Sequence, residues 1–287
     1  MPQDLKQPTT YEEQVDILKK RGCVIDDEGF CKRKLEEINY YRFTAYFLPF
    51  KQPDGKYKAG TTFHSVYRIY EFDRQLRGIL FSAIEEVEVF LRSHFAYYHA
   101  HQYGADGYLK TESFSEKHDK EKFDQTLQRE IDSNKKVLFV RHHLDNYGGV
   151  FPIWVISELF TFGMLSYFYA DMKTPDQKQL ATSLYATTPK NVISWLRCCT
   201  DLRNICAHYG RLYYRIFPAV PAGFNIAETA KRRLWGAILS LRALYPDAEK
   251  WNSNVLTSLE ALFEEYKSDI NLYHIAFPND WADTLKK

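Results

Sequence analysis

The sequence predicts an all-α fold, and three observations lead to that prediction. Only 13 glycines and 11 prolines occur among 287 residues, so the chain is poor in the residues that form turns between short strands. Hydrophobic residues make up 45% of the chain and charged residues 26%, which is enough for a sizeable core and too apolar for a disordered protein. Apolar residues also recur at steps of three and four, as on one face of a helix.

Residues 1–60 are predicted to form an N-terminal helical segment. The stretches 11–21 and 28–40 are both amphipathic, which is typical of short surface helices. An aromatic stretch follows at 40–50, and it either packs as a helix on the body of the protein or forms a surface on which bases stack. A turn at 52–60 ends this segment.

Residues 61–222 are predicted to form the helical core, and the clearest helical period in the chain runs over 66–100. Two pairs of opposite charges lie four residues apart on this helix, a spacing that adds a few tenths of a kcal/mol each. We expect these charges to lie mostly on its solvated face. The pairs are Asp73 with Arg77 and Glu88 with Arg92.

Residues 148–170 contain a single charge, Glu158, and resemble a membrane span in composition. A carboxylate at mid-span would cost about 2.5–3.5 kcal/mol in a bilayer, and Pro152 and Gly163 interrupt the run. We therefore predict a buried helix at 151–170 and no membrane association. Glu158 would then be a buried acid that needs a partner. Its carboxylate could form a structural hydrogen bond or ion pair, or it could belong to a functional site.

A helix of about 20 residues is predicted after Thr188, because Thr188 suits the N-cap, Pro189 the first helical position and Gly210 the C′ position. At 100° per residue its apolar and polar sides are sharply separated. Arg203 lies at the edge of the apolar side, where its stem can be buried. The polar side carries Arg197, Asp201, Asn204 and His208.

Two other regions are predicted to be helical. The polar stretch between the long helix and residue 148 contains a helix at 119–132. Residues 223–287 form a C-terminal helical segment with amphipathic helices near 227–244 and 253–270.

The five cysteines form an odd set without metal-ligand spacing, so we expect small apolar core residues in a reduced, cytoplasmic protein that uses no metal and no cofactor. They are Cys23, Cys31, Cys198, Cys199 and Cys206. The first ten residues also lack the basic-then-apolar layout of a secretory signal.

One local segment carries a pattern suited to phosphate chemistry. The chain is nearly neutral, with 38 basic and 37 acidic residues, which excludes a protein that coats nucleic acid by charge alone. The predicted 189–209 helix and its flank are nevertheless basic, and they contain the run Arg203-Asn204-Ile205-Cys206-Ala207-His208. The local charges are Lys190, Arg197, Arg203, Arg211 and Arg215, opposed by Asp201.

The segment DLRNICAHYGRLYYR (201–215) resembles the RNxxAH signature of the Abi-like family, which is associated with bacterial abortive infection against phage and is grouped with the HEPN ribonucleases. Other blocks resemble this family in the same order, so that the resemblance extends over residues 11–215. They are EEQVDILKKRG (12–22), INYYRFTAYFLPF (38–50), YEFDRQLRGILFSAIEEVEVFLR (70–92) and PIWVISELFTFG (152–163).

This resemblance implies a HEPN-like helical bundle with N- and C-terminal helical additions, a homodimer or pseudo-dimer whose paired motifs form one cleft, and RNA cleavage without a metal. Arg203, Asn204 and His208 are the implied catalytic residues. Lys190, Arg197, Arg211 and Arg215 would bind RNA, with Glu158 and Asp201 in support. A toxin-like nuclease also requires a partner that keeps it inactive, either a protein antitoxin or a small structured RNA.

The chemistry of the residues supports the same roles. RNA cleavage without a metal needs a base for the 2′-hydroxyl, an acid for the leaving 5′-oxygen and positive charge at the phosphate, and His208 and Arg203 are of the right types. Five positions apart on a helix, however, they diverge by about 140°. A second copy across a two-fold axis would complete the site.

Three alternatives remain open at this stage. In one, Arg203 pairs with a buried acid such as Glu158, His208 is a surface residue at a helix end, and the protein is a catalytically silent module that binds RNA or protein. In another, the protein binds nucleotides or phosphate, although no glycine-rich loop supports this. A second arginine–histidine pair, Arg92 with His99, also has a loosely suitable spacing.

Overall fold

The computed structural model describes residue 5 and residues 7–286 and confirms the all-α fold. Within that part of the chain no β-strand occurs, and only isolated β-bridges are present. The α-helices are α1 (Tyr11–Lys20), α2 (Glu28–Glu37), α3 (Tyr40–Thr44), α4 (Phe63–Tyr103), α5 (Lys120–Ser133), α6 (Leu138–Asn146), α7 (Ile153–Ile156), α8 (Phe162–Asp171), α9 (Thr174–Tyr185), α10 (Pro189–Ala207), α11 (Glu228–Lys231), α12 (Leu234–Leu244), α13 (Ala248–Lys250), α14 (Thr257–Glu265) and α15 (Trp281–Leu285). Short 3-10 helices lie at Ala45–Phe50, Gly107–Leu109, Thr111–Ser113, Ser157–Leu159 and Leu272–Ile275, and a π-helix at Trp251–Leu256.

The chain divides into two compact units. The first consists of the described residues up to Leu76 together with Leu259–Asn271. The second consists of Arg77–Ser258 and the described residues from Leu272 onward. The candidate functional residues all lie in the second unit.

The first unit contains α1 and α2 as predicted, and its aromatic stretch at 40–50 packs inward. Phe43 and Phe47 are each 1% exposed, and the ring centroid of Phe43 lies 5.0 Å from that of Phe63. The packing interpretation is therefore confirmed, because a surface for stacking bases would need these rings on the outside. Tyr41 alone of these rings is almost fully exposed.

The long helix α4 is confirmed, but its charged pairs do not lie on a solvated face. Asp73 is completely buried and Arg77 is 6% exposed, while the side chains of Glu88 and Arg92 are 13% and 20% exposed. These residues alternate with apolar ones on the helix side that packs inward, so the expectation of solvated charge was wrong.

The predicted single helix at 151–170 is interrupted. The short helix α7 continues into a 3-10 turn, and α8 begins anew after Thr161, whose hydroxyl accepts a hydrogen bond from the Met164 amide at 3.2 Å. Glu158 lies in the 3-10 turn with its side chain exposed, so the prediction of a buried acid was wrong. The break turns this residue outward while its neighbours Leu159 and Phe160 stay buried. Among the described residues, no helix has both the length and the apolar character to cross a membrane.

The second unit is organised around α10, which packs against α8, α9 and α12. Its inward side chains Val192, Leu196, Cys199 and Leu202 are completely buried, as the predicted apolar side requires. All five cysteines are buried thiols that form no disulfide, and burial raises the pKa of Cys198 to about 12. They are core residues, as expected.

The C-terminal helices are more broken than their periodicity predicts. The helix expected at 227–244 is divided into α11 and α12, with Arg232 and Arg233 at the interruption. The one expected at 253–270 begins as a π-helix and its α-helical part ends at Glu265. The interruption at Arg233 leaves space beside the buried ring of Trp235.

Candidate functional site

The C-terminal end of α10 is closed by a Schellman turn that places His208. The Gly210 amide donates to the Ile205 carbonyl at 2.7 Å, and the Tyr209 amide donates to the Cys206 carbonyl at 3.1 Å. Tyr209 therefore occupies the C′ position with a left-handed φ of 55°, and Gly210 occupies the position after it, one residue later than predicted. His208 is the C-cap and is exposed.

Gly210 lies where the chain approaches itself closely, so a side chain there would be crowded. A Cβ at this position would lie 3.0 Å from the Ile205 Cγ2 and 3.2 Å from its carbonyl oxygen. The carbonyl of Gly210 in turn accepts a hydrogen bond from the Arg77 Nη1 at 3.2 Å. The buried Arg77 of α4 thus anchors the turn that follows His208.

Asn204 and His208 lie one helical turn apart on the exposed side of α10. The His208 amide donates to the Asn204 carbonyl at 3.0 Å, so the backbone of both residues belongs to the closing turn of the helix. Both side chains are accessible to a large substrate.

Arg203 points instead toward α4 and lies against Glu88. Its Nε is 3.9 Å from the Glu88 Oε2, with side chains 30% and 13% exposed. At that distance the ion pair is electrostatic, and the Nε–H is shielded from solvent without a hydrogen-bond partner.

Glu88 also holds Arg92. The Arg92 guanidinium contacts the other carboxylate oxygen of Glu88 and donates to the Phe160 carbonyl from Nε at 3.2 Å and from Nη2 at 2.8 Å. That carbonyl is free to accept because the helix is broken between α7 and α8. One carboxylate therefore faces two arginines, which leaves a net positive charge around Arg203.

Glu88 is a site residue that the sequence analysis missed. It was assigned to a solvated face because of its i,i+4 spacing to Arg92. The available signal was its position: Ile84, Glu88, Leu91 and Phe95 follow one another at steps of four and three, so Glu88 occupies a place on the apolar stripe of α4. An acid on such a stripe needs a cationic partner from another element.

The predicted RNA-binding residues fall into two groups. Arg211 and Arg215 follow the Schellman turn, and the Arg211 guanidinium lies 5.9 Å from the centroid of the Tyr214 ring. Lys190 and Arg197 are exposed nearer the start of α10. The structure therefore brings the first pair to the end of α10 that bears His208.

Asp201 and Arg197 line a separate cavity of about 200 Å³. The Asp201 Oδ2 accepts a hydrogen bond from the Ala219 amide at 3.1 Å, so this carboxylate fastens the loop after Phe217. Glu158 lies exposed in its 3-10 turn, and the acid that faces Arg203 is Glu88.

The second arginine–histidine pair is not accessible. His99 is completely buried, neither ring nitrogen has a hydrogen-bond partner, and burial lowers its pKa to about 4. Arg92 is engaged by Glu88 and Phe160. This pair cannot meet an RNA phosphate in this conformation.

No group of three or more His, Cys, Asp or Glu side chains in the described part of the chain is arranged to hold a metal ion. The adjacent His142 and His143 of α6 make separate contacts, with the Asn146 side chain and with the Phe139 carbonyl.

Comparison with known protein families gives a match. The family model described as Abi-like protein matches residues 33–214, a range that includes α4, the interrupted α7 and α8, and all of α10. No curated protein and no solved structure matches the chain significantly.

Proposed function

The chain belongs to the Abi-like protein family, and on this basis we propose that it is a metal-independent endoribonuclease of the HEPN type that acts in abortive-infection defence against phage. The observation that carries this proposal is the end of α10. There an exposed histidine, an arginine oriented by Glu88 and a basic flank containing Arg211 and Arg215 share one short segment.

In the proposed reaction the neutral imidazole of His208 accepts the proton of the substrate's 2′-hydroxyl. The 2′-oxygen attacks phosphorus, the bond from phosphorus to the 5′-oxygen breaks, and the leaving oxygen takes a proton from an imidazolium. Arg203 stabilises the charge on the non-bridging oxygens, and Asn204 orients the ring or contacts the phosphate. The products are a 2′,3′-cyclic phosphate and a 5′-hydroxyl.

We also propose that the active form is a homodimer whose interface includes the 189–209 helix. Arg203 is directed toward Glu88 and His208 lies on the outer side of the helix end, so one copy does not converge on a phosphate. A second copy across a two-fold axis would supply the complementary group. The helix next to Arg203 supports this assembly, because its outer ridge bears exposed apolar side chains. They are Phe81, Val89 and Tyr97 of α4, which are 41%, 58% and 68% exposed.

A nuclease with such a site must be restrained in an uninfected cell. We propose that an antitoxin protein or a small structured RNA covers the basic end of α10 until infection. Such a partner would be attracted by the positive charge of Arg211 and Arg215.

The deciding experiment is incubation of the purified protein with single-stranded RNA in the presence of a chelator. We expect cleavage that continues with chelator, leaves DNA intact and produces 5′-hydroxyl ends. Cleavage that stops with chelator, or that leaves 5′-phosphate ends, would contradict the proposal because both point to a metal-activated water.

A second function has one observation in its favour. The ion pair between Arg203 and Glu88 is also what a silent, RNA-binding helical module would use to stabilise its fold. In that case the protein binds RNA with the same basic surface and no RNA is cut under any of the conditions above.

A further inference from the structure

The exposed side of α10 is a single narrow strip that leads away from His208. Within α10, all of which the structure describes, the exposed residues are Lys190, Arg197 and Asn204. They recur every seven residues, so they lie along one ridge of the helix, and His208 continues this ridge at its end. Arg197 is 11 residues before His208, which is about 16 Å along the helix axis. Arg203 lies roughly 100° or more around the helix from this ridge, so the ridge is separate from the side that faces α4.

At Arg197 the ridge meets the cavity of about 200 Å³ described above, which lies between α10, α8 and the loop at 218–219. Tyr167 of α8 forms part of its wall and is 67% exposed. The two helices approach closely here, since a Cβ on Gly163 would lie 3.7 Å from the Thr200 Cγ2. An accessible aromatic ring and an exposed arginine therefore border the same recess.

Tyr167 also borders a second cavity, of about 260 Å³, on the side of α5. Lys117 and Lys122 line this cavity and are both exposed. The Lys122 Nζ lies 5.7 Å from the centroid of the Tyr167 ring. The tyrosine is thus positioned between a cation of α5 and the arginine of α10, and we call the two cavities together the Tyr167 groove.

The cations of the Tyr167 groove are not neutralised by their neighbours. Asp201 follows Arg197 by one helical turn, but its Oδ2 accepts a hydrogen bond from the Ala219 amide at 3.1 Å. Arg197, Lys117 and Lys122 form no ion pair with any residue that the structure describes. The guanidinium and both ammonium groups are therefore available to an anion from outside.

The two acids of the second cavity are held by other groups. The Asp119 Oδ1 accepts a hydrogen bond from the Lys122 amide at 3.0 Å and so caps α5. The Asp171 Oδ2 lies 3.0 Å from the Nδ1 of His118, whose side chain is 1% exposed. Both carboxylates thus stabilise the wall of the groove.

We infer that the Tyr167 groove holds one nucleotide of the single-stranded RNA whose scissile phosphate lies at His208. The inference rests on the proposed function. An exposed aromatic ring beside unpaired cations is the combination that binds a single strand, because the base stacks on the ring and the phosphates pair with the cations. The base of this nucleotide stacks on Tyr167, an adjoining phosphate pairs with Arg197, and the strand follows the α10 ridge to His208. A base within a duplex cannot offer its face to the ring.

Binding can be measured without cleavage by using His208→Ala as the parent and a short fluorescein-labelled single-stranded RNA of random sequence as the probe. Tyr167→Ala removes the stacking surface, and we expect it to weaken binding about tenfold, the usual effect of losing one base–aromatic stack. Tyr167→Phe keeps the ring and should restore the affinity. Binding by Tyr167→Ala within about twofold of the parent overturns the inference, as does a Tyr167→Phe variant that binds as weakly as Tyr167→Ala.

The role of Arg197 has a different signature, which is the dependence of binding on salt. Loss of one phosphate contact lowers the slope of log Kd against log salt concentration by about 0.7 for a single strand. We expect this decrease in Arg197→Gln, whereas Tyr167→Ala should keep the slope of the parent because it removes no charge. A slope in Arg197→Gln equal to that of the parent would show that no phosphate is bound there.

Two matched variants on other helices serve as controls. Tyr41→Ala removes a tyrosine that is 87% exposed on α3, and Arg33→Gln removes an exposed arginine of α2. Both should bind the probe with the affinity and the salt dependence of the parent. Far-UV circular dichroism should be unchanged in every variant. Equal losses in the controls and in the groove variants would overturn the inference.

The outcomes also separate this inference from the nuclease proposal. If the wild-type protein cuts no RNA but the groove variants weaken binding as expected, the nucleotide site stands and the nuclease assignment fails. If the wild-type protein cuts RNA and both groove variants bind like the parent, the nucleotide site alone is wrong. An unlabelled RNA duplex that competes as well as the unlabelled single strand would overturn a site for an unpaired base.

Discussion

The Arg203 Nε of α10 lies 3.9 Å from the Glu88 Oε2 of α4, two residues separated by more than a hundred positions in the chain. The same carboxylate contacts Arg92, which in turn reaches the Phe160 carbonyl at the helix break. The carboxylate of Glu88 is therefore the negative charge that Arg203 faces, and the predictions for Glu88 and Arg203 depend on this geometry.

Glu88→Gln should lower both stability and RNA cleavage. The substitution removes the negative charge that two partly buried arginines share, and we expect a loss of about 1–3 kcal/mol in the free energy of unfolding. Urea denaturation and a cleavage assay measure the two effects. Glu85→Gln, on the exposed side of the same helix, is the matched control. If both variants behave like wild type, Glu88 does not position Arg203.

His208→Ala should abolish cleavage while leaving the melting temperature within a few degrees of wild type, because the side chain is exposed at a helix end. Arg203→Ala should also abolish cleavage and cost some stability, since it leaves Glu88 with one partner fewer. His64→Ala, an exposed histidine on α4, is expected to cut normally. Wild-type rates in His208→Ala would refute its proton-transfer role.

A substrate with one 2′-deoxy residue immediately 5′ of the scissile phosphate should resist cleavage at that bond. It lacks the nucleophile but keeps nearly all of the phosphate contacts. Mapping of the product ends on the deoxy and all-ribo substrates measures this. Cutting at the modified bond would show that water is the nucleophile.

The buried His99 predicts a loss of stability in acid. Burial lowers its pKa from 6.5 to about 4, so between these values the unfolded chain binds a proton that the folded chain does not. The difference in proton binding does not affect stability above pH 6.5. Below that pH the free energy of unfolding falls progressively toward pH 4, by about 3 kcal/mol in total. His99→Phe should reduce the slope of unfolding free energy against pH over this interval. Equal slopes in both proteins would show that another group causes the acid sensitivity.

Sedimentation should give twice the monomer mass for the wild-type protein at micromolar concentration. Val89→Asp places a charge on the exposed apolar ridge of α4, and we expect it to yield monomers with little cleavage activity. Leu138→Asp, at a still more exposed apolar position at the start of α6, should remain dimeric. If the wild-type protein is a monomer and still cuts RNA, the active site is not formed by two copies of the chain.

Much of the site could be predicted from the sequence, but its geometry could not. The start of α10 at Pro189 and the exposure of Asn204 and His208 follow from cap residues and helical period, which depend on neighbours within one or two turns. The C′ position was predicted one residue too late, at Gly210, because the non-glycine residue Tyr209 adopts the left-handed conformation there.

The fold class and the helices α1, α2, α4, α5 and α10 were determined by the sequence itself, because each depends on composition or on periodicity within a continuous segment. The family was also evident from the sequence, through the resemblance of several ordered blocks. The tertiary structure alone decided that Glu88 rather than Glu158 faces Arg203, and that the 151–170 and 227–244 helices are interrupted. The physical reason is that burial and ion pairing depend on which distant segments meet. A carbonyl freed by one helix break becomes the acceptor for Arg92, and the space left by the other becomes a cavity; neither relationship is encoded in a local pattern.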